Sequence, residues 1–115
     1  MVSFDTNVLV YATVSGGAKA ARARDLIARA MRVGQSILLL QTLAEFANVA
    51  IRKAGIPIED VERTIAAWRA VLPAQEAHPD DLTAALEAVR THRLAFWDAM
   101  LWASAQRCGV RHLLT

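Results

Sequence analysis

The spacing of apolar residues changes repeatedly along the chain. Met1–Phe4 is a short apolar run ending at Asp5 and predicts a first strand. Asn7–Ala12 predicts a helical turn, and Ser15-Gly16-Gly17 a loop. From Lys19 to about Val33, Ala20, Ala23, Ile27, Ala30 and Met31 fall on one helical face, and Gly34 is placed to end that helix. Ile37-Leu38-Leu39-Leu40 is continuously apolar, as in a strand buried on both faces. Thr42 then reads as the cap of a helix with Leu43, Phe46, Ala47, Ala50 and Ile51 inward, stopped by Gly55.

Pro57 opens the next helix, with Glu59, Asp60 and Glu62 in its first turns, where the helix dipole favours negative charge. Its stripe is Ile58, Val61, Ile65, Trp68 and Leu72. Val71–Gln75 predicts a short strand at a sheet edge, because Pro73 interrupts it. Pro79-Asp80-Asp81 opens a helix with Leu82, Ala85, Leu86 and Val89 in register, and Leu94 to Cys108 forms another, ended by Gly109. His112–Thr115 predicts a last strand. Strands alternating with helices predict an open, mostly parallel sheet covered on both faces.

Composition narrows the class. At 115 residues a single domain is expected over 1–115, and 55% hydrophobic with 21% charged residues excludes a disordered tail. The single cysteine, Cys108, cannot form an internal disulfide. No apolar stretch approaches the ~20 residues of a membrane span. Val8-Leu9-Val10 before small residues superficially resembles a signal peptide, but Asp5 stands where a basic residue belongs, so a cytoplasmic protein is expected. A net charge of +2 is too small to argue for nucleic acid by itself.

Most acids have ordinary explanations. Glu59, Asp60, Glu62, Asp80 and Asp81 sit at helix starts, Asp25 lies among arginines on a solvated helix face, and Glu76 and Glu87 read as surface charges. Asp5, Glu45 and Asp98 differ, because each stands among apolar neighbours, where an ionised carboxylate is costly unless paired or holding a cation. Each alone reads equally as a cap or a paired core acid. Topology gathers them: Asp5 follows strand one, Glu45 lies in the first turn after strand two, and Asp98 opens the helix before strand four. If strand four is parallel, all three reach the carboxyl edge of the sheet, where open α/β folds place ligands. Converging carboxylates raise one another's pKa unless a cation intervenes, and oxygen-only donors suit Mg²⁺ or Mn²⁺ rather than Zn²⁺.

Asp5-Thr6-Asn7-Val8-Leu9, Leu43-Ala44-Glu45-Phe46-Ala47-Asn48-Val49 and Phe96-Trp97-Asp98-Ala99, together with Leu113-Leu114-Thr115, resemble the PIN-domain ribonucleases, in particular the VapC toxin branch of type II toxin–antitoxin pairs. The resemblance runs from residue 1 to residue 115. It implies a PIN-like three-layer α/β/α sandwich with strand order 3-2-1-4-5, RNA cleavage dependent on Mg²⁺ or Mn²⁺, and a small VapB-like antitoxin that blocks the site. Asp5, Glu45 and Asp98 match its metal-binding, catalytic acids, and Thr6 matches a hydroxyl that orients a ligand or water. Asn7 and Asn48 match positions near the site. The family usually carries a fourth acid two residues beyond the Ser/Thr that ends strand four. Thr115 fills that Ser/Thr position, so the fourth acid and fifth strand would lie beyond it, and a truncated domain is expected.

The implied chemistry is attack of an activated water on phosphorus, with one or two divalent ions, about 4 Å apart if two. Arg52 and Lys53, and the Arg22, Arg24, Arg29 and Arg32 series, are candidate RNA contacts, though a solvated, salt-bridged helix face is the more ordinary account of each. Trp97 and Trp102 read as core or homodimer-contact residues, and Trp68 as core. Two other readings stay open. An aspartyl-phosphate or receiver domain also places an Asp after strand one, but Asn7 stands where its second acid is needed and the only lysines, Lys19 and Lys53, come early. A catalytically impaired PIN-like domain would serve only antitoxin binding or oligomerisation.

Overall fold

A computed structural model of the chain describes residues 1–14 and 16–115. The elements are β1 (Val2–Phe4), α1 (Thr6–Val14), α2 (Ala18–Val33), β2 (Leu38–Leu39), α3 (Leu40–Arg52), α4 (Ile58–Val71), β3 (Ala74–Gln75), α5 (Pro79–His92), α6 (Phe96–Arg107) and β4 (His112–Leu114). The expected order of elements holds throughout. Of the loop expected at Ser15–Gly17, Ser15 lies outside the described residues.

All strand pairings are parallel. β1 pairs with β4 through Val2–His112, Ser3–Leu113 and Phe4–Leu114, and β2 pairs with β3 through Leu38–Ala74 and Leu39–Gln75. A parallel bridge between Val2 and Ser36 joins the two ladders, with Val2 N–H donating to Gln35 O (2.8 Å) and Ile37 N–H to Val2 O (3.0 Å). The strands therefore lie in the order β3-β2-β1-β4, and β3, with its preceding Pro73, takes the expected edge.

The apolar run at β2 serves both faces of the sheet. Leu38 joins a core of Phe4, Val8, Leu9, Ile27, Leu43 and Phe46, whereas Ile37 and Leu39 turn the other way onto Ala105 and Val110. On the first side, the Phe46 ring meets Trp68 edge-on at 4.9 Å between centroids, an arrangement aromatic quadrupoles favour. Gly34 and Gly109 take positive φ (75° and 77°), which lets the chain turn back after α2 and α6.

Several local expectations are corrected. α1 is a nine-residue helix rather than a turn. β2 is two residues long, because Leu40 already belongs to α3. Thr42 is therefore not the cap: Leu39 holds that position, and the Thr42 hydroxyl is buried inside the first turn with no hydrogen-bond partner among the described residues. Ile58 (54% exposed) and Ile51 face solvent. So do Leu82 and Leu86, because α5 meets α6 through a seam of alanines: Ala85, Ala88, Ala99 and Ala103. Small side chains bring the two helices close, and the larger leucines flank the contact. Trp97, 65% exposed, and Trp102 are not core residues.

Asp81 does more than begin a helix. It is 2% exposed, accepts the His78 N–H in a capping box, and accepts hydrogen bonds from Ser104 Oγ (2.8 Å) and Arg107 Nε (2.8 Å). Arg107 also donates to Glu76 O (2.7 Å), which ties α6 to the loop before α5. Burial alone would raise the Asp81 pKa, but the hydrogen bonds from Arg107, His78 N–H and Ser104 outweigh it and hold the carboxyl at about 2, against an ordinary value of 3.8. A depressed carboxyl stabilises the fold above its unfolded pKa and loses that contribution as pH falls through the folded one. Asp81→Asn is therefore expected to cost about 2 kcal/mol at pH 7, and its deficit against the unaltered chain to close between about pH 5 and pH 2. Urea unfolding at a series of pH values checks both. Phe46→Ala is expected to cost about 3–5 kcal/mol and to shift the Trp68 fluorescence.

Candidate functional site: a carboxylate cleft at the sheet edge

Parallel pairing sends all four strands out at one edge. Asp5 follows β1 directly, and its backbone N–H donates to Leu114 O (2.9 Å), so β4 fixes the direction in which the chain leaves the sheet. Asp98 lies in the first turn of α6, which runs antiparallel to the β4 it precedes and so begins at this same edge. Asp5 and Asp98 line one open cleft of ≈ 610 Å³, together with Thr115, Trp102, Arg111 and His112. Asp5 is half-buried and Asp98 exposed. Among the described residues neither carboxylate takes part in an ion pair or a side-chain hydrogen bond.

Glu45 stands one turn into α3, exposed, with both carboxylate oxygens engaged. Thr6 Oγ1, from the residue after Asp5, donates to its Oε2 (3.0 Å). Gln41 Nε2, from the preceding turn of α3, donates to its Oε1 (3.0 Å) and also to Trp97 O (2.9 Å), the carbonyl just before Asp98. Glu45 is thus bonded directly to the neighbour of Asp5 and, through Gln41, linked to the neighbour of Asp98. The three acid-bearing elements meet, yet no group of three His, Cys, Asp or Glu side chains among the described residues is close enough together to hold a metal ion. As a donor set the acids still suit a hard divalent cation: all offer oxygen, and among the described residues none forms an ion pair with Arg or Lys.

The other candidates lie further out. Asn7 is exposed on α1. Asn48, Arg52 and Lys53 share a separate hollow of ≈ 170 Å³ with Val49 and do not border the Asp5–Asp98 cleft. Of the arginine series, Arg29 pairs with Asp25 (2.9 Å) on an exposed face and Arg24 Nε donates to Ala12 O (3.0 Å). Three residues at the site had gone unsuspected: Gln41, Arg111 and His112. Only Gln41 left a trace in the sequence, standing four positions before Glu45 and so on the same helix face.

The chain belongs to the PIN-domain family, whose pattern matches residues 2–115. Its fold is that of a VapC-type toxin. The crystal structure of Mycobacterium tuberculosis VapC20, a toxin that cleaves the sarcin–ricin loop, superimposes with a TM-score of 0.73 over 96% of this chain and 85% of that one, at 17% identity. No curated protein matches the sequence significantly. Among the described residues no helix is long and apolar enough to cross a membrane.

Proposed function

We propose that this chain is a metal-dependent endoribonuclease of the VapC toxin type, acting in the cytoplasm and neutralised by a small VapB-like antitoxin that covers the cleft. The reading is carried by Asp5 and Asp98, two carboxylates in no ion pair among the described residues, on one cleft at the carboxyl edge of a PIN-domain sheet. In this reading Asp5, Asp98 and Glu45 hold Mg²⁺ or Mn²⁺, which supplies, when bound, a Lewis acid and an activated water. Thr6 holds the Glu45 carboxylate in place. Arg111, one of the residues lining the cleft, carries a planar donor fork suited to a phosphodiester. Thr115 borders the same space. Exposed Trp97 and Trp102 fit the homodimer that belongs to this reading.

A second reading draws on the spacing of the acids. Because no three of them cluster among the described residues, the domain would bind antitoxin, or a second copy, without cutting RNA. One assay separates the two. Cleavage of RNA is expected on adding Mg²⁺ or Mn²⁺, to stop with EDTA, and to fall by about 100-fold or more in Asp5→Asn and in Asp98→Asn, since loss of a ligand should exceed the 10–100-fold typical of its supporting partners. Cleavage that persists in both variants, or needs no metal, overturns the ribonuclease assignment. Absence of cleavage under all conditions favours the binding domain.

A further inference from the structure

We infer that Gln41 is a positioning residue that couples the Glu45 carboxylate to the first turn of α6, and thereby sets the spacing of Glu45 and Asp98 for a divalent cation. The inference rests on the metal-dependent reading above. It starts from a single nitrogen. Gln41 Nε2 lies 3.0 Å from Glu45 Oε1 and 2.9 Å from Trp97 O. A primary amide nitrogen carries two hydrogens, so both bonds form at once, one to each acceptor.

Those acceptors belong to different elements. Glu45 is on α3, and the Trp97 carbonyl immediately precedes Asp98 on α6. With Thr6 Oγ1 on Glu45 Oε2, a continuous path runs from Asp5 through Thr6, Glu45, Gln41 and Trp97 to Asp98. An ionised carboxylate has about four acceptor sites, so Glu45 keeps lone pairs for a cation while both donors are in place. Few side chains replace Gln41. Asn is one methylene short of spanning the gap, Met has the length without the hydrogens, and Glu would turn an acceptor toward two acceptors. Elsewhere α3 and α6 are held by their own buried faces, Phe46 and Ala50 on one, Ala99 and Ala103 on the other. The amide is therefore not needed to keep the helices folded.

The test uses the full chain and reads free Mn²⁺ by electron paramagnetic resonance during titration, beside amide hydrogen exchange of the metal-free protein. In Gln41→Met, and equally in Gln41→Asn, Mn²⁺ affinity is expected to fall about 10-fold or more, with the unfolding midpoint unchanged to within about 4 °C. Exchange at the amides of residues 99–101 is expected to quicken in these variants and not in Asp5→Asn. Affinity within twofold of the unaltered chain, while Asp5→Asn loses Mn²⁺, overturns the coupling and leaves the metal site standing. Unfolding of both Gln41 variants makes Gln41 a structural residue and also overturns it. If Asp5→Asn binds Mn²⁺ as the unaltered chain does, the metal reading itself has failed, and the inference falls with it.

Discussion

β1 is three residues long and lies between two other strands, so its backbone polar groups are cut off from water and must find partners in the protein. They find them in distant parts of the chain. Val2 exchanges bonds with Gln35 and Ile37, Met1 O accepts from Arg111 N–H, Asp5 N–H donates to Leu114 O, and Ser3 Oγ adds a bond to Ile37 O (2.7 Å). This saturation determines the rest of the architecture. It places β2 and β4 on either side in parallel, and parallel neighbours need long crossovers, which the helices supply. It also brings the carboxyl ends of the strands to one edge, so residues far apart in sequence surround a common space.

The site is an outgrowth of that edge, and its three acids are held in different ways. Asp5 is placed by backbone, as the residue at which β1 lets go of the sheet. Asp98 is placed by the start of α6, whose orientation follows from the alanine seam with α5 and from the Asp81–Arg107 pair beneath it. Glu45 is placed by side chains: a hydroxyl from α1 and an amide from its own helix. A buried ion pair is often no more stabilising than well-packed apolar residues, yet it is specific in direction. Asp81 takes bonds from Ser104 and Arg107, one turn apart on α6, and also caps α5. The pair therefore restricts how one helix can slide or roll on the other, which a smooth seam of alanines does poorly.

Much of this was readable in the sequence, because the strongest signals were periodic or out of place. Helical stripes located the helices, the run Ile37–Leu40 announced a strand buried on both faces, and acids among apolar residues marked Asp5, Glu45 and Asp98 as unusual. What escaped detection depended on partners that only the fold supplies. Leu82, Ala85, Leu86 and Val89 share a helical spacing that does not say which of them is buried, whereas close approach of α5 and α6 selects the smaller side chain. Asp81 was read as a helix-start acid, which it is, but Arg107 lies 26 positions away and nothing local announces their meeting. Gln41 is an ordinary polar residue on an amphipathic helix, and its second acceptor, the Trp97 carbonyl, has no sequence signature, since every residue carries one. Thr42 has the side chain of a cap, but the pattern cannot show that β2 passes into α3 without a loop, which moves the cap to Leu39.

The bond from Asp5 N–H to Leu114 O has a temporal side. β1 acquires one of its two neighbours from a strand more than a hundred residues further along the chain, so no partial chain lacking residues 112–114 can complete this edge. Closing a loop of more than a hundred residues delays the reward of pairing until late, and the first strand must persist meanwhile with one flank open. Assembly of the acidic edge is thereby tied to the arrival of β4 rather than to any earlier fragment of the chain.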